Sequence, residues 1–360
     1  MEATLTWVGL DVHARSTHAA AIDLMTGELK RMRFGPGNEQ VVDWLAQLPQ
    51  PRAAYEAGPT GFALFRAARA RGIAIDVVAP SKTARPSGER VKTDRKDAEL
   101  LARLGLAGQL AVVAVPEEFI ESVRHLSRSR EQLRQDLMRA RHRVSKLLLQ
   151  HGRVYPEPTT WNQRHRIWLS RQHFEHEPTE IAFCDLLAAV DGTVARKAAL
   201  DERLLRLAQD ERLWPTVQRL RSFRGIDTIT ALCLHLELGG DWQRFSSPRK
   251  LFSWLGLTPT LAQSGESSTQ GGIAKTGSSY GRRLLVESAL HYARKPAIGV
   301  TLSNRQAGQP AHVLQISWRA QQRLYRLHHR LRARGKPFNV ATVAVARELS
   351  GFLWAAACAP

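Results

Sequence analysis

The stretch Thr-Leu-Thr-Trp-Val-Gly-Leu-Asp-Val, residues 4–12, decides the fold of the N-terminal part of the chain. Residues 4–10 are rich in side chains that favour β-structure, and they run directly into Asp11. A carboxylate placed straight after a buried apolar run is costly unless a cation compensates its charge. The pattern therefore predicts a first strand that delivers Asp11 to a polar site.

Strands and helices alternate along the chain after this first strand. Further strands are predicted at 18–24, 28–34, 52–56 and 73–78, and helices at 38–48, 61–71 and 93–106. This order predicts an α/β domain with a mixed sheet, and the ribonuclease-H-like fold has the same order. Rossmann-type folds compete with it, but the first strand-to-helix turn lacks a GxGxxG motif.

Residues 117–150 carry the most regular helical pattern. Positions spaced alternately four and three residues apart form a continuous seam along one face of the helix. They are Phe119, Val123, Leu126, Arg130, Leu133, Leu137, Ala140, Val144 and Leu147. Such spacing is typical of a coiled coil, here with Arg130 as a polar interruption. It predicts a dimerising or inter-domain coiled coil, and a helix packed inside its own protomer is the alternative. A second long helix is predicted at 195–212, with an antiparallel arrangement as one option.

The C-terminal part of the chain is predicted to be mostly helical. Its exception is the segment 263–280, which is rich in Gly, Ser and Thr and is expected to be an unusually long loop. A further helix is predicted at 311–333, and it carries many arginines.

The charge balance narrows the classes of partner. The 360 residues include 52 Lys+Arg against 33 Asp+Glu, a formal net charge of +19, and the excess is spread along the chain. We expect a polyanionic partner, most simply nucleic acid, rather than a membrane surface. Three scattered cysteines give neither a disulfide framework nor a zinc motif, which fits a reducing cytosol. No signal peptide is visible and the uncharged apolar stretches are short, so we expect a soluble protein without a membrane segment.

Four acids stand where a metal site could form. Asp11 and Glu56 end predicted strands, and Asp94 and Asp97 are spaced i, i+3 on a predicted helix, so they share a face. Phosphodiester chemistry with two metal ions needs several converging carboxylates, and Mg²⁺ prefers oxygen ligands. Taken singly, each acid also has a structural interpretation: a helix cap for Asp94, an ion pair for Asp97, a surface acid for Glu56.

Several motifs together resemble a known family. In the N-terminal part they are Gly-Leu-Asp-Val-His at 9–13, Tyr-Glu-Ala-Gly-Pro-Thr-Gly at 55–61 and Lys-Thr-Asp-Arg-Lys-Asp-Ala at 92–98. In the C-terminal part they are Gly-Leu-Thr-Pro at 256–259, Ser-Gly-Glu at 264–266, Gly-Gly-Ile-Ala-Lys-Thr-Gly at 271–277 and then Arg282 and Arg283. They resemble the signatures of DEDD transposases of insertion-sequence family one-ten, which includes the pilin-gene invertase.

The resemblance implies an organisation and a set of site residues. It implies a RuvC-like, ribonuclease-H-fold nuclease domain at 1–115, a coiled-coil region at 116–215 and a transposase domain at 216–360. Mg²⁺ or Mn²⁺ would be held by the four acids. The catalytic serine of the family falls on Ser264, with Ser267 and Ser268 as close alternatives. The cations expected to contact the DNA phosphate are Lys275, Arg282 and Arg283.

The resemblance also implies a reaction and partners. DNA would be cut and rejoined through a phosphoserine intermediate, with sequence choice guided by a structured bridge RNA that pairs with double-stranded donor and target DNA. A homodimer or homotetramer in the cytoplasm, associated with the nucleoid, is expected. A RuvC-like metal-dependent endonuclease without serine chemistry is the alternative, and an architectural DNA- or RNA-binding protein is the non-enzymatic one.

Overall fold

The chain divides into two compact units, of which the first ends at Val115 and the second begins at Pro116. A computed structural model describes residues 4–80, 93–264 and 267–359.

The first unit is built on a five-stranded mixed sheet with the strand order β3-β2-β1-β4-β5. Its elements are β1 (Thr6–Val12), β2 (Thr17–Asp23), β3 (Leu29–Phe34), α1 (Glu39–Ala46), β4 (Pro51–Glu56), α2 (Ala63–Ala70), β5 (Ala74–Val78) and α3 (Asp94–Leu106). The first three strands are antiparallel to one another, whereas β4 and β5 run parallel to β1. This confirms the predicted mixed α/β sheet and is consistent with a ribonuclease-H-like fold.

Helices cover both faces of this sheet. Val8, Leu10 and Tyr55 are buried against the apolar sides of α1 and α2. The alternate residues along the strands face the other way, where Ala54 packs with Leu101 of α3. Burial on both faces explains why the central strands read as nearly continuous apolar runs.

Gly9 is the point of closest approach between the sheet and α3. A Cβ atom on Gly9 would lie 2.0 Å from the carbonyl oxygen of Ala98 and 2.5 Å from the backbone nitrogen of Ala102. Neither backbone atom can move without moving the helix. The absence of a side chain at Gly9 therefore sets how closely α3 lies over β1.

The second unit begins with two long helices that pack against each other, α4 (Glu118–Gln150) and α6 (Glu177–Leu207). The seam predicted on α4 lies against α6 of the same chain, where Leu137, Ala140 and Val144 share a core with Phe183 and Val190. The structure thus follows the alternative of a helix packed within its own protomer. Pairing between copies of the chain stays a prediction.

Arg130, the polar residue that interrupts the seam, has a partner on α6. The Arg130 Nε atom lies 2.5 Å from Asp201 Oδ1, and Lys197 Nζ lies 2.6 Å from the other oxygen of that carboxylate. The second long helix was predicted at 195–212, but α6 begins much earlier, at Glu177, and runs antiparallel to α4.

The remainder of the second unit is a helical core with one β-hairpin. Its elements are α5 (Gln163–Ser170), α7 (Trp214–Leu220), α8 (Thr228–Glu237), α9 (Pro248–Trp254), β6 (Pro259–Ser264), β7 (Ser267–Ile273), α10 (Ser279–Ala289), a 3₁₀ turn (Leu290–Ala293), α11 (Val300–Gln306), α12 (Ala311–Ala333) and α13 (Phe338–Ala357).

The hairpin corrects the expectation of a long loop over 263–280. The segment pairs as two antiparallel strands up to Ile273, and α10 begins at Ser279. Ser, Thr and Gln can stabilise such a ribbon through cross-strand pairs, but they leave no alternation of apolar and polar residues in the sequence.

By length and composition alone, the last helix, α13, could cross a membrane. It is the one such helix in the part of the chain that the structure describes. Val345, Leu349 and Leu353 of this helix are fully buried in the core of the second unit. Arg347 and Glu348 lie near its middle. These contacts are those of a core helix.

We predict that Gly9→Ala destabilises the first unit by about 3 kcal/mol, because the added methyl group must displace α3. Gly35→Ala is the matched control, since a Cβ there meets no atom within 4 Å. Hydrogen exchange of the β1 and α3 amides measures the effect. Equal protection in the two variants would contradict the tight contact.

Candidate active site

The pleat of β1 and β4 places two acids on one face of the sheet. Leu10 and Tyr55 lie side by side in the parallel register and are buried on the face covered by α1 and α2. Asp11 and Glu56 are the next residues along the two strands, so both belong to the opposite face, which α3 covers. Parallel register therefore brings the ends of two separate chain segments to the same edge.

The other two acids lie in the first turn of α3. Thr93 caps the helix, and its side chain accepts a hydrogen bond from the Lys96 backbone N–H. Asp94 and Asp97 follow one turn apart, where the helix dipole favours negative charge. Because Thr93 supplies the cap, the Asp94 carboxylate is left for other contacts.

Asp11, Asp94 and His13 come together across the β1–α3 contact. His13 Nε2 lies 3.1 Å from Asp11 Oδ2 and 3.8 Å from Asp94 Oδ1. One ligand atom from each of the three residues lies within 4.8 Å of the others. On the far side of Asp94, His18 Nε2 lies 3.9 Å from Oδ2.

The electrostatics of the cluster are those of acids held close together. Burial raises the pKa of the Asp11 carboxyl above its usual value; the charges of Asp94 and Asp97 push it the same way, while His13 opposes the shift. The Asp11 side chain is only 19% exposed, whereas those of His13 and Asp94 are half exposed. A divalent cation would relieve this repulsion and remain accessible to solvent.

The donor set fits a hard divalent ion. Carboxylate oxygens suit Mg²⁺ and Mn²⁺, and the imidazole of His13 is better suited to Mn²⁺ or another transition metal than to Mg²⁺. Glu56 and Asp97 lie outside the three-residue cluster found among the described residues. The sheet register places Glu56 at the same strand edge, and Asp97 is close enough to Asp11 to affect its pKa.

His13 and His18 are the residues that sequence reasoning missed. His13 stands two residues after Asp11, and that spacing puts both side chains on one side of an extended strand. The signal was thus in the motif at 9–13. His18 is placed by the pairing of β2 with β1, where it lies opposite Asp11, and a short-range pattern does not reveal such a contact.

In the second unit, Ser264 ends β6 at the tip of the hairpin. It pairs in register with Ser267, the first residue of β7, and Ser268 pairs with Gln263. The two residues that join the strands, Gly265 and Glu266 of the Ser-Gly-Glu motif, lie outside the described residues. The three candidate serines are therefore neighbours on the outer part of one hairpin.

The loop that follows the hairpin is tightly held by its backbone. Lys275 adopts a left-handed conformation with φ of 57°, and its N–H donates to the Gly256 carbonyl at 3.0 Å. Gly277 has φ of 68°, and a Cβ there would lie 2.0 Å from the Trp254 carbonyl oxygen. A left-handed conformation at a residue other than glycine costs free energy and is typical of functional loops.

The three cations assigned to this region have different surroundings. The Lys275 side chain is exposed, and no acid among the described residues lies within ion-pair distance of it. Arg282 Nη1 donates to the carbonyls of Leu255, Thr276 and Gly277. Its guanidinium therefore ties the loop to the end of α9.

Arg283 is engaged in a second network. Its Nη2 atom lies 2.5 Å from Glu131 of α4, and its Nη1 atom lies 2.6 Å from Glu287. Glu131 is buried, and although burial opposes it, hydrogen bonds from Arg134 and the charge of Arg283 hold the pKa of this carboxyl below its usual value. Arg283 thus joins α10 to α4.

Comparison with known proteins gives two matching regions. Residues 8–152 match a transposase family model of the DEDD IS110 type, and residues 217–298 match the model described as the transposase IS116/IS110/IS902 family. A putative transposase, y4qE, of Sinorhizobium fredii (strain NBRC 101917 / NGR234) is 41% identical over 303 residues, which cover 84% of this chain and 74% of the relative.

Further relatives extend the match over almost the whole chain. The transposase for insertion sequence element IS1533 of Leptospira borgpetersenii is 31% identical over 340 residues, 92% of this chain and 97% of the relative. The transposase for insertion sequence element IS1328 of Yersinia enterocolitica is 28% identical over 295 residues, 81% of this chain and 85% of the relative.

These matches define the class of protein as a transposase, an enzyme that acts on DNA. The chain belongs to the IS110 family of transposases, which confirms the resemblance found in its motifs. The family suggests that the enzyme uses a divalent metal, and the cluster of Asp11, His13 and Asp94 offers ligands for one.

We predict that Mn²⁺ raises the melting temperature of the protein and that Asp11→Asn removes most of this rise. Saturation at ~100 times the dissociation constant stabilises a folded site by about 2.7 kcal/mol. Without metal, Asp11→Asn should be no less stable, because it removes a buried charge that neighbouring acids repel. The control is Asp43→Asn on α1, which removes a half-exposed ion pair with Arg71 at the end of α2. A full Mn²⁺ shift in Asp11→Asn would contradict the site.

The surroundings of Arg282 and Lys275 generate a second prediction. Arg282→Gln should lower the stability of the second unit by about 2 kcal/mol, because it removes charged hydrogen bonds to three carbonyls. Lys275→Gln should leave stability unchanged and weaken DNA binding. Thermal unfolding and DNA-binding titrations of both variants measure the two effects. If Arg282→Gln stays as stable as the natural protein but binds DNA more weakly, the structural role assigned to Arg282 is wrong.

Proposed function

We propose that this transposase cuts and rejoins DNA through a phosphoserine intermediate formed on Ser264, and that the reaction also needs Asp11, Glu56, Asp94 and Asp97. The proposal that the reaction depends on a metal ion is supported by one observation: Asp11, His13 and Asp94 approach one another across the β1–α3 contact. The proposed role of Ser264 is supported by the match to the transposase family model over 217–298, which includes the hairpin.

The acids are proposed to hold Mg²⁺ or Mn²⁺, with Asp11 and Asp94 as the primary ligands. When bound, such an ion supplies positive charge that stabilises the developing oxyanions of a phosphodiester reaction. The oxygen ligands of this cluster suit both Mg²⁺ and Mn²⁺, and the imidazole of His13 is better suited to Mn²⁺. Glu56 and Asp97 are proposed to complete a second set of ligands. This is supported by the position of Glu56 at the same strand edge and by the effect of Asp97 on the pKa of Asp11.

In the first step, the Ser264 Oγ atom attacks the phosphorus of a DNA phosphodiester. The Oγ–P bond forms and the bond from phosphorus to the 3′-oxygen breaks. The serine proton leaves to a base in the reaction centre, and the departing 3′-oxygen takes up a proton to become a free hydroxyl. A bare serine hydroxyl needs such activation because it is a poor nucleophile at neutral pH.

In the second step, the 3′-hydroxyl of another strand attacks the phosphoserine. A new phosphodiester forms, the Oγ–P bond breaks and Ser264 regains its proton. The number of phosphoester bonds is conserved, so the reaction needs no nucleotide cofactor. Lys275 is the cation proposed to neutralise the phosphate directly, whereas Arg282 and Arg283 are proposed to act through the loop and helix that they hold.

The proposed partners are double-stranded donor and target DNA and a structured bridge RNA that guides the choice of sites. The net charge of +19 supports a large polyanionic complex. Sequence choice by base pairing would require the protein to hold mainly nucleic-acid backbone. We also propose that the protein acts as a homodimer or homotetramer, in the cytoplasm, on nucleoid DNA.

A metal-dependent endonuclease without serine chemistry is the second candidate. The observation that favours it is that the acidic cluster alone provides what hydrolysis by water requires. It shares the metal site and the DNA substrate with the first candidate and differs only at Ser264.

The experiment that separates the two looks for a covalent protein–DNA adduct. Labelled element-end DNA is incubated with the protein, Mn²⁺ and co-purified RNA, and the products are resolved under denaturing conditions. We expect an adduct with the natural chain and with Ser268→Ala, and none with Ser264→Ala. Cutting by Ser264→Ala at the natural rate, without an adduct in any variant, would favour the endonuclease.

Ser267→Ala identifies the nucleophile within the hairpin. An adduct that persists in Ser264→Ala and disappears in Ser267→Ala would show that Ser267, opposite Ser264 in the hairpin, is the nucleophile. Asp94→Asn should abolish both the adduct and any cutting, since both candidates need the metal site. Full activity of that variant would contradict both.

A further inference from the structure

A row of exposed arginines runs along one face of α12. The helix holds five arginines and no acidic residue; they are Arg319, Arg323, Arg326, Arg330 and Arg332. The first four repeat at intervals of three or four residues, so they share one face. The opposite face is buried in the core of the second unit through Val313, Ala320 and Leu324.

Most of this row has no partner within the described chain. Arg323 Nε lies 2.7 Å from Glu348 of α13. For the side chains of Arg319, Arg326 and Arg330, no ion pair or hydrogen bond is found among residues 4–80, 93–264 and 267–359. Like charges one helical turn apart destabilise a helix, and a bound polyanion would remove this repulsion.

The row borders a series of adjoining grooves. One groove, of about 740 Å³, is lined by Arg319, Arg326, Arg330 and Phe352. A second groove, of about 720 Å³, shares Arg323 and Phe352 with the first and adds Arg249 and Arg347. These grooves form a basic trough with an aromatic residue, Phe352, where they meet.

The trough continues toward the hairpin that carries Ser264. Arg347 also lines a third groove, of about 580 Å³, together with Lys275, Lys336 and Gln270 of β7. Lys275 is the cation held in the strained backbone conformation at the base of that hairpin. Positive side chains therefore line each of the three adjoining grooves between α12 and the base of the serine hairpin, although the third groove is otherwise mostly apolar.

We propose that this trough, from Arg319 on α12 to Lys275, binds the phosphate backbone of duplex DNA and leads it to the serine hairpin. At ~1.5 Å per residue, the row from Arg319 to Arg330 is about 16 Å long. One strand of B-DNA carries a phosphate every ~3.4 Å along its axis, so four arginines can meet a similar number of phosphates. The flat guanidinium group makes paired hydrogen bonds to phosphate oxygens.

The occupant is duplex DNA because DNA is the polyanion on which the family acts. The arginine row lies beyond both matching family models, which end at residues 152 and 298. The binding inference needs neither the metal site nor the serine chemistry. Only the direction of the DNA, toward Ser264, rests on the proposed function.

The test compares two triple variants of the full-length protein. Arg319→Gln, Arg326→Gln and Arg330→Gln together remove the free arginines of the row and keep good helix formers. Arg196→Gln, Arg203→Gln and Arg206→Gln remove the same charge from the exposed side of α6, where Arg206 is paired with Glu202. Dissociation constants for a labelled DNA duplex of arbitrary sequence are measured from low to high salt.

We expect the α12 variant to bind DNA at least about tenfold more weakly at ~0.1 M salt. Its logarithmic salt dependence should be less steep by about 2.7, at ~0.9 for each lost phosphate contact. The α6 variant should keep nearly the natural slope. Equal losses in both variants would show that total charge alone matters and would overturn the proposal.

Two further arms complete the test. Replacing the same three arginines by Lys should restore most of the salt slope, and failure to do so in a folded protein would overturn an electrostatic contact. An RNA duplex of equal length should lose no more affinity than DNA in the α12 variant. A loss confined to RNA would overturn the assignment to DNA. The binding measurements do not depend on the serine chemistry, so failure of that chemistry leaves this inference separately testable.

Discussion

The contact of α3 with the backbone of Gly9 is the constraint on which the acidic site depends. No side chain fits between β1 and the turn of α3 at Ala98, so the helix lies directly on the strand. That closeness brings Asp94, in the first turn of the helix, to the carboxylate of Asp11 two residues beyond Gly9. Burial, and to a smaller extent the charges of Asp94 and Asp97, raise the pKa of Asp11, and the packing of the rest of the unit offsets the cost of holding this carboxylate.

The basic residues of the second unit divide into two groups with different roles. Arg130, Arg282 and Arg283 are held by carboxylates or carbonyls within the fold, so they stabilise the protein. Arg319, Arg326 and Arg330 on the outer face of α12 and the exposed Lys275 leave their charges to solvent. A net charge of +19 therefore does not identify a binding surface, whereas the pairing of each cation does.

Much of the first unit could be predicted because its signals are local. Apolar runs mark the buried strands, and the i, i+3 spacing of Asp94 and Asp97 fixes a shared helix face. The β6–β7 hairpin was missed because strands of Ser, Thr and Gly show no apolar alternation. The pairing of Arg283 with Glu131 could not be predicted, since Glu131 lies far away in the sequence. His13 was within the quoted motif, but its role appears only when α3 brings Asp94 to it.

The central claim is that Asp11 and Asp94 share a divalent cation across the β1–α3 contact. Crystals of the protein grown with Mn²⁺ test it directly, through anomalous difference density measured at the manganese absorption edge. The account predicts a peak between the Asp11 and Asp94 carboxylates, within coordination distance of both and next to His13. Density elsewhere, or a well-ordered site that stays without a peak at saturating Mn²⁺, would contradict it.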